Sequence, residues 1–268
     1  MQRKGKEEQK AWLVKAIESE VIPRLMLAHK AGNVKKTSIS AEDKKKHIFS
    51  KDSIEAFTRI LLKNDIEIVR SYVEALLDEG VMLEDVYLEL FQPSARLLGE
   101  SWEEDTEDFS SITLALWKIQ HTMYFFSESF LNDSIPTQRK GSVFLCPYPE
   151  SQHTVGLFMV SEFFRKDNWL VTAEPSITPI ELEKRISSNF FDLLGISIGS
   201  LAHVEKLPEL INIIRKVSKN PNIFLMIGGP MTSISQNLYQ EVGADAQASN
   251  AKEALLKASD LLQKKIKS

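Results

Sequence analysis

The apolar positions along the chain change period near residue 132. Before it they recur every three or four residues, the spacing that lines one face of a helix. The clearest run lies in 109–131, where Phe109, Ile112, Leu116, Ile119, Met123, Phe126 and Phe130 alternate steps of three and four. Such a run predicts one helix with a continuous buried seam. A stripe of Ile54, Phe57 and Leu61 predicts a helix over 52–64, with Asp52 or Ser53 as its cap. A third pattern, 65–79, has Asp65 as a candidate cap and Gly80 past its end, and a fourth, 82–98, stops near Gly99. Short connections between four such helices predict a bundle over 51–131. Upstream, Trp12, Leu13, Ile17, Val21, Leu25 and Leu27 suggest a helix over 7–30, bent or restarted at Pro23. Residues 31–50 are polar and lysine-rich, so 1–50 reads as an N-terminal helix and linker.

A second linker, 132–140, carries Pro136. Beyond it, over 141–268, short apolar runs alternate with helical ones. SVFLC (142–146), WLVTA (169–173), DLLGISI (192–198), NIFLMI (222–227) and DAQA (245–248) read as strands. The helices between and after them fall near 153–166, 179–189, 205–218, 233–241 and 250–265. Five such units with apolar strands predict a parallel sheet covered on both faces. The expected fold class is therefore α plus α/β: an N-terminal helical bundle followed by a doubly wound, flavodoxin-like domain with strand order 2-1-3-4-5. Ligands of such sheets bind beyond the carboxyl ends of the strands where the order reverses, here between strands 1 and 3.

Composition narrows the function classes. The 268 residues are 43% hydrophobic and 26% charged, with a net charge of −4, which speaks against direct nucleic-acid binding by bulk charge. The single Cys146 cannot form an internal disulfide, so a reducing, cytoplasmic setting is expected. The N-terminus lacks an apolar signal-peptide core and no run of about 18 apolar residues occurs, so no membrane association is expected.

The candidate chemistry gathers at the expected switch point. His153 stands in ESQHTVG, just after the first strand. Ser197, Gly199 and Ser200 follow the third strand, and Gly228 and Gly229 follow the fourth. Small residues there let a backbone approach a large flat ligand, although they also make ordinary turns between strand and helix. No GxGxxG follows the first strand and no GxxxxGK[ST] occurs, so phosphate cradling is not indicated. Asp192 begins the third strand rather than ending it, which excludes a phospho-acceptor arrangement. One cysteine and five scattered histidines lack zinc-site spacing, and no GxSxG elbow is present.

His153 with Gly156 matches the H-x-x-G half of the cobalamin-binding signature D-x-H-x-x-G, and the order of bundle then flavodoxin-like domain is similar to that of corrinoid proteins. The segments SEVIPRLMLAH (19–29), LGESWEEDTEDFSSITLALWKIQ (98–120), ESQHTVGLFMVSEFFRKDNW (150–169) and IGGPM with VGADAQASNAKEA (227–254) resemble the PpaA/AerR family of antirepressors. That resemblance implies a cobalamin, as adenosyl- or hydroxocobalamin, with haem as the alternative cofactor. It implies His153 as the lower axial metal ligand. The neighbours Ser151, Gln152, Thr154 and Gly156, with Ser197, Gly199, Ser200, Gly228 and Gly229, would line the slot for the nucleotide tail. Trp102 would cover the upper face of the ring, unless it packs within the bundle. The implied function is a light- or redox-responsive, non-enzymatic regulator acting on a protein partner such as a transcriptional repressor. The alternative is a corrinoid carrier subunit of a methyltransferase system.

The sequence departs from that pattern in two places. Where the signature has Asp, this chain has Ser151, which removes the carboxylate that would orient the imidazole and weighs against methyl transfer. Counting from Trp102, the Glu-His pair of light-sensing cobalamin repressors falls on Ile112 and Thr113. The remaining histidines have humbler readings. His121 is expected as a satisfied interface histidine, His47 as solvated, His29 as part of an amphipathic segment, and His203 as a rim residue. Cys146 is expected to be buried and inert.

Overall fold

A computed structural model describes residues 48–132, 139–151 and 155–267, without the side chains of 264–267. The helix expected over 7–30 and the polar stretch before residue 48 lie outside the described residues, as do residues 133–138 of the second linker. The chain divides into two compact units, Met1–Phe57 and Thr58–Ser268.

The described part of the first unit begins helix α1 (Lys51–Lys63). Its leading turn is capped by Ser50, whose Oγ accepts from the Ser53 amide at 3.2 Å. The expected caps Asp52 and Ser53 instead lie inside the helix.

In the second unit the helical part continues through α2 (Ile66–Asp78) and α3 (Leu83–Asp85), then a π-helical stretch (Val86–Phe91) and α4 (Gln92–Glu103). It ends with α5 (Phe109–Phe125) and α6 (Ser127–Asn132). Asp65 precedes α2 in extended conformation but makes no side-chain cap bond. Asp108 caps α5, accepting from the amides of Ser110 and Ser111. The seam of α5 and α6 is buried at Ile112, Ile119, Met123, Phe126 and Phe130. Phe109 departs from it. As the first residue of α5 it points outward, 64% exposed, with its ring 6.2 Å from that of Trp102. The single helix expected over 109–131 breaks at Phe126.

The helix expected to stop near Gly99 runs on to Glu103. Gly99 is tolerated inside it at a modest propensity cost. The left-handed residue that follows the helix is Asp105, with φ 56. Among the described residues, the buried Lys118 donates to the Leu61 carbonyl at 2.6 Å. Burial pulls its pKa down, against an opposing pull from Asp65.

The sheet has five parallel strands in the order β2-β1-β3-β4-β5. They are β1 (Ser142–Pro147), β2 (Leu170–Ala173), β3 (Leu193–Ser197), β4 (Phe224–Gly228) and β5 (Ala246–Gln247). The order is the one expected from the sequence. The intervening helices are α7 (Val155–Lys166), α8 (Pro179–Ser188), α9 (Leu201–Val217), α10 (Leu238–Val242) and α11 (Ala251–Lys267). Alternate strand residues feed two cores, as the period of two requires. Phe144, Leu194, Ile196, Leu225 and Ile227 pack with Leu182, Ile186 and Ile211 on one face. Val143, Leu145, Leu193 and Met226 pack with Leu157, Phe164, Ala258 and Leu261 on the other. Each such buried Leu or Ile contributes about 1.5–3 kcal/mol of transfer free energy, which is why apolar strands specify a doubly covered sheet.

The helical layer is tied to the sheet layer by polar and aromatic contacts. Lys166 pairs with Glu84 at 3.0 Å, and Lys252 with Asp85 at 3.4 Å. Gln92 donates to the Ser249 carbonyl at 3.0 Å, and the rings of Phe130 and Phe163 meet edge to face at 5.1 Å. Glu162, fully buried, receives the Ser127 hydroxyl and the Arg165 guanidinium.

Candidate cofactor site

At the carboxyl edge of the sheet, register sets Pro147 beside Ser197 and Ser197 beside Gly228. The turns leaving the three strands are therefore neighbours. The Tyr148 amide donates to the Ser197 carbonyl at 2.8 Å, and the Ile198 amide to the Gly228 carbonyl at 2.9 Å. These bonds continue the ladder one step past the strands and hold the rim segments together.

The turn after β1 bends back at Glu150, with φ 68, whose amide donates to the Ile177 carbonyl at 3.0 Å. The Ser151 amide closes on the Tyr148 carbonyl at 2.9 Å, and Ser151 is buried. Gln152, His153 and Thr154 lie outside the described residues. Helix α7 begins at Val155, and a Cβ added to Gly156 in its first turn would meet no atom of the described residues within 4 Å.

The Ser197–Gly199–Ser200 run lies half-buried along the rim. Ser200 caps α9, its Oγ accepting from the His203 amide. The His203 imidazole lies flat on the Tyr148 phenol, with centroids 4.4 Å apart and planes 13° apart. Burial, with the charges of Glu209 and Glu150, raises the Tyr148 pKa, so the phenol stays neutral at physiological pH. Cys146, one residue before the end of β1, is wholly buried, and burial with the Glu174 charge pushes its thiol up to about 12. It stays protonated at neutral pH and makes neither a ready nucleophile nor a ready ligand.

After β4 the chain turns at Gly229, with φ 91. A Cβ there would stand 2.7 Å from the Ile198 carbonyl oxygen and 2.9 Å from Ser197 Oγ, so only glycine lets this turn press against the turn after β3. At Gly228 a Cβ would come no closer than 3.6 Å, so that position is not under the same constraint. The segment then forms a short 3-10 helix, Pro230–Ser233, and α10 begins only at Leu238. The helix expected over 233–241 is thus shortened, because a buried side chain that the sequence reading passed over, Gln247, takes up its backbone groups.

Trp102 lies beyond the helix end expected near Gly99, in the last turn of α4, and is 54% exposed rather than packed within the bundle. His121 is partnered: the Arg70 guanidinium lies 2.9 Å from its Nδ1, and its ring meets Trp117 edge-on. Arginine can only donate, so Nδ1 is the accepting atom in this contact. Among the described residues no group of three or more His, Cys, Asp or Glu side chains is placed to hold a metal ion. No helix among them is long and apolar enough to cross a membrane.

Residues 142–256, from strand β1 through β5 and into α11, match the family model of the B12 binding domain. A Rhodobacter capsulatus protein described as an uncharacterized 20.5 kDa protein in the bchF-crtJ intergenic region is 24% identical over 165 residues, 62% of this chain and 85% of the relative. Among solved structures, the Methanosarcina barkeri monomethylamine corrinoid protein is similar in fold, with a TM-score of 0.67 at 15% identity, over 79% of this chain and all of the other.

Proposed function

We propose that this chain is a cobalamin-binding sensory regulator, without turnover of its own, that acts in the cytoplasm through a protein partner such as a transcriptional repressor. The observation that carries the cofactor is the B12-binding-domain match over 142–256, coinciding with a rim of small residues at the switch point. The rim suits the group. A tetrapyrrole would carry its own metal, so His153 alone would be enough to hold that metal from the protein side. Gly156 and the close-pressed Gly229 turn present backbone at two points of the rim, beside the stacked Tyr148 and His203 rings.

In this reading His153 supplies the lower imidazole, Ser151 shapes the turn leading to it, and Gln152, Thr154, Ser197, Gly199, Ser200 and Gly228 line the tail slot. The exposed Trp102 stands with Phe109 on the helical layer, available to a ring face. When bound, the group would supply the response to light, redox state or supply, with His153 holding it. The protein converts that response into a shift between two arrangements of differing partner affinity. The regulatory role is supported by the family resemblance and by the relative's place in the bchF-crtJ region. Ser151 in place of the carboxylate disfavours the methyl-carrier alternative.

The test is the absorption spectrum of the protein after separate mixing with hydroxocobalamin, adenosylcobalamin and haem, alongside His153→Ala. Stoichiometric cobalamin uptake, with a spectrum changed by the substitution, is expected. Uptake of haem alone would transfer the reading to the haem variant, and uptake of neither would overturn it. Robust methyl transfer by the unmodified protein would overturn the regulatory reading in favour of the carrier.

A further inference from the structure

Gln247 ends β5 and is 7% exposed. All the hydrogen-bonding capacity of its carboxamide nitrogen is spent on backbone. Nε2 donates to the Ser235 carbonyl at 2.8 Å and to the Thr232 carbonyl at 3.2 Å, while Oε1 accepts from the Tyr239 amide at 2.9 Å. The Ser235 carbonyl and the Tyr239 amide are four residues apart, the pair that an α-helical bond would join. The carboxamide is spliced between them. Residues 234–237 are thereby held out of the helix expected over 233–241, and α10 is confined to five residues.

The held segment carries the rim. Thr232 Oγ1 donates to the Gly229 carbonyl at 2.8 Å, and the Met231 amide reaches the Ile198 carbonyl at 3.4 Å. Gln247 is itself anchored from α11, where Lys257 Nζ donates to its carbonyl oxygen at 2.6 Å and pairs with Glu253 at 2.6 Å. A line of hydrogen bonds thus runs from α11 through Gln247 to the Gly229 turn.

We propose that Gln247 is a positioning residue for the candidate site: it fixes the Gly228–Ser235 rim in the shape that receives cobalamin, and it does so without touching the cofactor. The assignment rests on the cobalamin reading of the same site. A protein whose receptive form is only partly populated binds more weakly by that fraction, so releasing the segment lowers the apparent affinity.

The experiment compares wild type, Gln247→Met and Gln247→Glu by hydroxocobalamin titration and by amide hydrogen exchange of the apo proteins. Gln247→Met keeps the volume and removes all three bonds. Exchange at 232–239 should accelerate at least ten-fold while the β1 and β3 amides stay protected, and the apparent Kd should rise about ten-fold, the equivalent of one net hydrogen bond. Gln247→Glu adds a signature that general loosening would not produce. Its ionised carboxylate faces two carbonyls, whereas its protonated form regains one donor. The ratio of its Kd to that of wild type should therefore fall toward one on acidification, while the ratio for Gln247→Met stays level. Unchanged exchange in Gln247→Met, or a loosened segment with unchanged Kd, overturns the proposal. If wild type takes up no cobalamin, the cobalamin reading fails, and the positioning role falls with it even though the exchange result stands.

Discussion

The imidazole of His203 lies flat on the phenol of Tyr148, 4.4 Å between centroids, joining the turn after β1 to the first turn of α9 across the switch point of the sheet. Neither residue belongs to a strand, and they are 55 positions apart in the chain, so only the β1–β3 pairing brings them together. Tyr148→Ala should destabilise the fold by about 0.5–1.5 kcal/mol beyond the lost area burial. Tyr148→Phe, which keeps the stacked ring, should stay within about 0.5 kcal/mol of wild type. Urea denaturation of the two variants checks this.

Gly229→Ala should be among the most damaging single changes on the rim. The backbone there is at φ 91, and the new Cβ would meet the Ile198 carbonyl at 2.7 Å. With ψ 178 this is the extended positive-φ region open essentially to glycine, whose strain alone costs about 1–3 kcal/mol, and the contact adds to it. Gly228→Ala, with 3.6 Å of clearance, should cost much less. A denaturation midpoint for Gly229→Ala equal to that for Gly228→Ala would contradict the geometry.

The Cys146 thiol should be silent to an aromatic disulfide reagent at pH 8 in the native protein and should react fully once the protein is denatured. Its pKa is raised from 9.0 to about 12 by burial and then by Glu174. The sign for stability follows. The neutral thiol is favoured in the folded state, so its contribution is complete below pH 9 and is lost as pH rises towards 12. Cys146→Ala should therefore reduce the alkaline loss of stability in that window, as measured by thermal melts across pH.

Glu253 works in the opposite direction. Desolvation raises its pKa, but bonds from Lys257 and from the Ser249 hydroxyl and amide outweigh this and bring it to about 2. Its contribution is present above the ordinary carboxyl value of 4.5 and is lost as pH falls towards 2. Glu253→Gln should flatten the acid-unfolding curve between those values, with the effect on the anchoring of α11 read from circular dichroism.

Much of the fold was legible from hydrophobic period alone. The change from spacing of three and four to short apolar runs near residue 132 separates helices from the alternating strands, because each structure buries a face with its own repeat. Parallel strands covered on both sides need apolar residues throughout, and so the strand order could be anticipated from the alternation of strands and helices. The candidate rim was legible for a related reason. A doubly wound sheet places strand ends and ligands at one edge, and the small residues of ISIGS and IGGP stand at those ends.

Element ends were less legible, since they depend on groups distant in sequence. Gly99 looked like a helix stop and Asp105 did not, yet the left-handed turn falls at Asp105. Phe109 fits the seam by spacing but is a first-turn residue that faces outward toward Trp102.

By itself, then, the sequence determined the helical and strand periods, the two-sided sheet and the edge where chemistry would collect, because these follow from local spacing and apolar burial. Tertiary structure alone decided which rings stack at the switch point, which of two adjacent glycines is indispensable, and that Gln247 replaces a helical bond between Ser235 and Tyr239. Those outcomes depend on close contacts between residues far apart in the chain, and no local repeat encodes a distance.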